Sequence, residues 1–349
     1  MRRSILATAS FLSLIVAQYA SASEVIYSTE GAVNRFNATQ SGIDNQIGEA
    51  SVDSGSYIYP WDFNAAQQIG VNNTANVSQN GAGNFANFKQ GQDNVHTYDD
   101  GFAYNFGSIS EAAFNTLNLD QMGEENTGIA FQMGNLNLAI MTQSGSLNVS
   151  TVEQWGDMDI AQSTQFGVEN TSLISQSDFN GFGGDKTATV FQNGNSNYAS
   201  INQYEDYYST ISTGPQSASI DQVGSSNSAS VYQTGIADLT LSMHGDSNTH
   251  TVNQRIIAPF APENSADIAS FGDFNAITLT QAGIGGNTAD VLQEGNQNGV
   301  TLTQNRQDSY ASITQVGDNN LLNLTQNGIG NSFQISMVGN SHSLSLTQF

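Results

Sequence analysis

Gln192-Asn193-Gly194-Asn195-Ser196-Asn197-Tyr198-Ala199-Ser200-Ile201-Asn202-Gln203 holds one complete turn and one complete strand. From Asn197 onward the residue types alternate. Asn197, Ala199, Ile201 and Gln203 fall on one side, and Tyr198, Ser200 and Asn202 on the other. Alternation at every second residue is the period of a β-strand, so an Asn, two apolar positions and a Gln share one face. Gly194, two residues after Gln192, sits where a reversal needs positive φ without steric cost. The unit is therefore a strand of about seven residues closed by a tight turn of about four.

The same phrase returns along the chain. Gln121, Gln132, Gln143, Gln154, Gln165 and Gln176 recur every eleven residues, and Gln281, Gln293, Gln304, Gln315, Gln326 and Gln348 nearly so. Asn84 precedes Gln90, Asn148 precedes Gln154, Asn227 precedes Gln233 and Asn320 precedes Gln326 at the same distance. Turn glycines are expected at Gly81, Gly134, Gly145, Gly156, Gly167, Gly194, Gly224, Gly235, Gly317, Gly328 and Gly339. Repetition this strict means that one small unit is stacked many times. The expected fold is all-β: a β-solenoid of strand-turn-strand rungs with two arcs, or about 22 residues, per rung over residues 34–349.

Rungs about 4.8 Å apart place each inward Asn or Gln over its counterpart, where the amides can bond along the stack. Such columns satisfy polar groups that are otherwise costly to bury. An inward apolar side chain contributes about 1.5 to 3 kcal/mol when fully buried, less for alanine. One rung alone is unstable, and many together are stable, because each added rung pairs the backbone edge of the one before it.

Arg2 and Arg3 precede the apolar stretch Ile5 to Ala17, and Ala20-Ser21-Ala22 supplies small residues for cleavage. Residues 1–22 therefore read as a secretory signal peptide, with residues 23–33 as an N-terminal segment. The apolar run is too short to span a bilayer, and no membrane span is expected. The chain has no cysteine, so packing and backbone hydrogen bonds must hold it. A formal net charge of -24 leaves no basic stripe for phosphates and argues against nucleic acid as a partner.

The period stretches between Gln176 and Gln192, between Gln203 and Gln222, and between Gln254 and Gln281. Loop insertions are expected near 93–110, 177–187, 204–216 and 255–265. All four prolines, Pro60, Pro215, Pro259 and Pro262, fall outside the clear arcs, as they must where every strand N–H pairs with a neighbouring rung.

The phrase Gln-x-Gly-x-x-Asn-x-Ala-x-x-x-Gln resembles the curlin repeat of bacterial curli fibre subunits. Three copies match at every fixed position: Gln79, Gly81, Asn84, Ala86 and Gln90; Gln192, Gly194, Asn197, Ala199 and Gln203; Gln222, Gly224, Asn227, Ala229 and Gln233. The resemblance implies a functional amyloid, secreted unfolded through a curli-type pore and polymerised on the cell surface as a biofilm fibre. Its implied partners are further copies of itself, a nucleator subunit and a chaperone. It also implies that the Asn and Gln positions form inner ladders. Arg306, Met337 and His342 depart from the pattern, standing where the family has Gly, Gln and Asn. The absence of Lys or Arg after Arg306 favours a major subunit over a nucleator, whose terminal repeat tends to be basic.

Enzyme chemistry has little to rest on. His96, His244, His250 and His342 lack metal-ligand spacing and are expected at the surface or in turns. Gly245-Asp246-Ser247 occupies the ordinary turn register, and the glycines at 183–184 and 283–286 lack phosphate-loop spacing. No catalytic residue, cofactor or metal site is expected. The C-terminal arcs, which show no helical cap, suggest a last rung open to another subunit. The alternative function is a monomeric secreted adhesin that uses its loops. An ice- or polysaccharide-binding face ranks lower, because the outward Thr and Ser are not expected to form a regular two-by-two array.

Overall fold

A computed structural model describes residues 4–7, 14–18, 24–32, 34–48, 66–91, 114–177, 185–204, 215–256 and 262–349. Every regular element among them is a strand. The chain forms two units, Met1–Ala161 and Gln162–Phe349, and each is a parallel β-solenoid.

In the second unit one sheet stacks Thr171–Ser177, Tyr198–Tyr204, Ser228–Thr234, Thr249–Ile256, Ala276–Gly283, Gly299–Gln304, Leu321–Gln326 and Ser343–Gln348, in that order and all parallel. The facing sheet stacks Lys186–Asn195, Gln216–Val223, Ala237–His244, Asn264–Phe271, Thr288–Glu294, Tyr310–Val316 and Ser332–Val338. Consecutive strands alternate between the sheets, so each rung has two arcs. These are called here the first and the second sheet. Parallel pairing without crossover helices is possible because the other arc of each rung supplies the return path.

The first unit repeats the plan. Phe85–Gln90, Thr127–Met133 and Val149–Trp155 stack in one sheet, and Arg35–Ile43, Thr74–Ala82, Thr116–Glu124 and Leu138–Ser146 in the other. Ser4–Ala7 pairs with Glu24–Ala32, and Leu14–Gln18 with Arg35–Ile43. The loop expected near 93–110 lies outside the described residues, as do 178–184, 205–214 and 257–261 of the other three insertions, together with Pro60, Pro259 and His96.

The core is the space between the arcs. Ala199, Val231, Leu279, Leu302, Leu322 and Leu324 are each at most 1% exposed, and they alternate with outward polar residues as a half-buried strand requires. In the last rung the same inward positions, Leu344 and Leu346, are only half-buried, because their strand is paired on one side.

The turns correct the sequence reading in two ways. Gly156 and Gly328 do not take positive φ, unlike the other nine turn glycines expected. In those two turns the reversal rests on Met158 (φ 64°) and Gly330 (φ 67°). Most other turns use two left-handed residues, the glycine and the residue before the Asn, whereas Gly235 and Asp308 each stand alone in theirs. The residue before the Asn is often bulky, as in Phe274 (φ 57°), Leu136 (φ 61°) and Leu147 (φ 58°). Such a residue costs roughly 1 to 2 kcal/mol. Stacking offsets the cost, since Phe274 N donates to Asp246 O at 3.0 Å and Leu147 N to Glu124 O at 3.0 Å.

Candidate functional site

The inward Gln side chains form columns parallel to the stack. In the first sheet of the second unit, Gln176, Gln203, Gln233, Gln254, Gln281, Gln304, Gln326 and Gln348 are linked without a break, each Nε2 donating to the next Oε1 at 2.8 to 3.0 Å. The bonded residues lie 21 to 30 apart in sequence, so the insertions are absorbed outside the strands and the column keeps its geometry. In the first unit, Gln68, Gln90, Gln132 and Gln154 form one such column, and Gln40, Gln79, Gln121 and Gln143 the other, at 2.7 to 2.9 Å. The second amide hydrogen crosses the corner between the sheets: Gln143 Nε2 also meets Thr127 O at 2.9 Å and Asn148 O at 3.0 Å.

The Asn residues clamp the turns. Asn197 Nδ2 donates to Gly224 O of the next rung at 2.7 Å, and its Oδ1 accepts from Asn227 N at 3.0 Å. Asn227 and Asn320 repeat this against Gly245 and Gly339, while Asn84 bonds Asn45 and Gly123, and Asn148 bonds Asn126. The sequence reading treated these residues as rungs of an amide ladder; their larger share of bonds goes to backbone. At the last clamp His342 replaces Asn, its N–H bonding Asn320 Oδ1 at 3.0 Å and its Nε2 lying 3.1 Å from Val338 O.

Beside these clamps runs a column of glycine backbone. A Cβ on Gly194 would lie 1.8 Å from Gly224 O, and one on Gly224 only 2.1 Å from Gly245 O. Positive φ was legible in the sequence. The close approach of the next rung was not, since it depends on stacking.

The second sheet of the second unit carries a broken Gln column. Gln165, Gln192 and Gln222 are linked, but Gln222 Nε2 then faces Met243 Sδ at 3.8 Å. Ser270 follows, its Oγ without a partner, and the Oε1 of Gln293 below it also has none. Gln293 and Gln315 resume the bonding at 2.8 Å, and Gln315 ends against Met337 Sδ at 3.9 Å. Met337 was legible as a departure. Met243 and Ser270 were missed, although their spacing from Gln222 and Gln293 places them in the column.

His250 corrects another expectation. It is not a surface or turn residue: it is 1% exposed, inward, and stacked between Ala229 and Ile277. Neither ring nitrogen has a partner, and burial pushes its pKa down to about 3, so the ring is neutral. Its place two residues after Asn248 was the available signal. Among the described residues no group of three His, Asp or Glu is placed to hold a metal, and no helix is long and apolar enough to cross a membrane.

With parallel in-register strands, Gln columns and Asn clamps established, the comparison with known families concerns one region. Residues 115–145 and 123–156 match the curlin associated repeat. These curlin repeats contain the Gln121–Gln143 bond, the Gln132–Gln154 bond and the Asn126–Asn148 clamp. Within the matched region the contacts between successive copies are hydrogen bonds of their Gln and Asn side chains. No curated protein matches the chain.

Proposed function

We propose that this chain is a secreted structural subunit that stacks end to end into extracellular curli-like amyloid fibres, serving a biofilm matrix, adhesion and surface colonisation. The observation that carries this reading is the direction of the columns. Every linked Gln donates its Nε2 toward the C-terminal rung, so each column has an acceptor end and a donor end, and one solenoid can continue another only head to tail. Ser343–Gln348, paired on one side with half-exposed Leu344 and Leu346, offers the donor end. Residues 1–22 act as the leader in this reading. Its removal takes one partner strand each from Glu24–Ala32 and Arg35–Ile43 and opens the other end. A curli-type pore, a nucleator and a chaperone would handle the chain before assembly, and the acidic surface favours no nucleic acid.

Incubating residues 23–349 at neutral pH tests this. The expected result is thioflavin fluorescence with fibre reflections near about 4.8 Å and about 10 Å. A chain that stays a soluble, monodisperse monomer would sink the reading. Deleting 178–184, 205–214 and 257–261 separates it from the adhesin alternative, because fibre growth should survive while loop-dependent adhesion should not.

A further inference from the structure

The two outer faces of the second unit differ in charge. The second sheet presents Asp221, Asp238, Asp267, Asp290 and Glu294 to solvent. In the first sheet, three outward columns run from Thr171, Leu173 and Ser175 to Ser343, Ser345 and Thr347. None of their positions holds Asp, Glu, Lys or Arg, in a chain whose formal net charge is -24. Arg255 lies beyond them, at the strand end. The register also assembles what the sequence hid: Thr278, Thr280, Thr301 and Thr303 make a two-by-two block, flanked by Thr251 and Thr325.

We infer that this uncharged face of the second unit is a lateral contact, through which a filament packs side by side against a second copy of this chain. The inference rests on the fibre reading above. Like-charged copies repel, and meeting through the other sheet would oppose five carboxylates to five, each close pair costing about 1 kcal/mol even in water. The uncharged face avoids that cost. Its side chains are mostly small Thr, Ser and Asn, with Tyr198, Tyr232 and Leu321 standing exposed among them, and they suit the interdigitated contact that stacked sheets make at about 10 Å. Eight strands about 4.8 Å apart and a width of five residues give roughly 600 Å² per copy, below the roughly 800 Å² per partner of a standard interface. A single pair of chains is therefore too weak to persist. The same contact repeated along two filaments is held by multivalency.

The test compares the wild-type chain, a Thr280→Asp/Asn323→Asp variant on the uncharged face, and a Ser219→Asp/Thr314→Asp variant on the second sheet. All four positions point outward, away from the core. Thioflavin kinetics report growth, and electron microscopy reports filament width. The expected result is equal growth in all three, bundles for the wild type and the second-sheet variant, and single filaments for the uncharged-face variant. High salt should restore its bundles, because repulsion is screened at about 3 Å in 1 M salt. Growth with no bundling in the wild type, or bundling that the uncharged-face charges leave intact, overturns the lateral contact and spares the fibre reading. Loss of thioflavin growth in the wild type removes both. Binding of the wild type to an insoluble neutral β-glucan that the uncharged-face variant loses, with filament widths unchanged, reassigns the face to carbohydrate.

Discussion

The two Gln columns of the second unit face each other across one core and differ in completeness. The first-sheet column is unbroken from Gln176 to Gln348, whereas the second-sheet column is broken by Met243 and Ser270 and ends against Met337. Strand pairing continues in register through both breaks. Backbone pairing and apolar burial therefore hold the stack where the amide column lapses, and the column sets register and direction more than it sets the existence of the fold. Met suits the gap because its length resembles that of Gln and its sulfur accepts weakly. Ser270 does not, and leaves two polar atoms unpaired.

The largest effect is expected where both columns share a support, at the glycine backbone. Gly194→Val places a side chain where a Cβ already lies 1.8 Å from the next rung, at φ +139°. A loss of more than about 4 kcal/mol is expected, read as failure to regain the strand circular dichroism signal after dilution from urea. Recovery like that of the wild type would show that the turns can separate without melting the stack.

The unbroken side has a flaw of its own in His250. Its unfolded pKa is near 6.5 and its folded value about 3, so between these the unfolded chain binds a proton that the folded chain cannot. Its contribution to stability is whole above pH 6.5 and is lost as pH falls toward 3. Facing neighbours Ala229 and Ile277 carry no charge, and desolvation alone causes the shift. The wild type should therefore lose about 3 kcal/mol more than His250→Val between pH 6.5 and 4 in urea melts. Parallel pH profiles for the two chains would contradict a buried neutral ring.

Gln254→Leu interrupts the unbroken column, leaving Gln233 Nε2 and Gln281 Oε1 without their partners. The expected cost is about 2 to 4 kcal/mol in the same melts, with in-register pairing kept. The converse change is smaller. Met243→Gln gives Gln222 an amide acceptor and Ser270 a neighbour to bond, and should stabilise by about 1 kcal/mol. If the two substitutions shift stability equally and in the same direction, the columns are interchangeable and their difference carries no energy.

Much of this was legible before any coordinates. The repeat of Asn, two apolar residues and Gln announces a strand whose inner face is half amide, because side chains two apart must share a face. From it follow the arcs, the rung of two arcs, and the inward placement of residues such as Gln154 and Asn227. The left-handed Phe274 and Leu147 were not legible, since a bulky residue reads as unfit for that conformation until the neighbouring rung supplies its bond. His250 was misread because a polar residue in one copy of a motif looks like a surface exception when the motif's neighbours in space are unknown.

Sequence by itself determined the local unit, its period and which side of each strand turns inward, since all of these depend on residues within a dozen positions of each other. Only the tertiary structure decided which copies lie against which. Insertions of differing length make the bonded glutamines 21 apart in one place and 30 in another. Whether Met243 meets Gln222, or Thr301 joins Thr278, is fixed by the stacking register, and that register is set by backbone pairing between rungs distant along the chain.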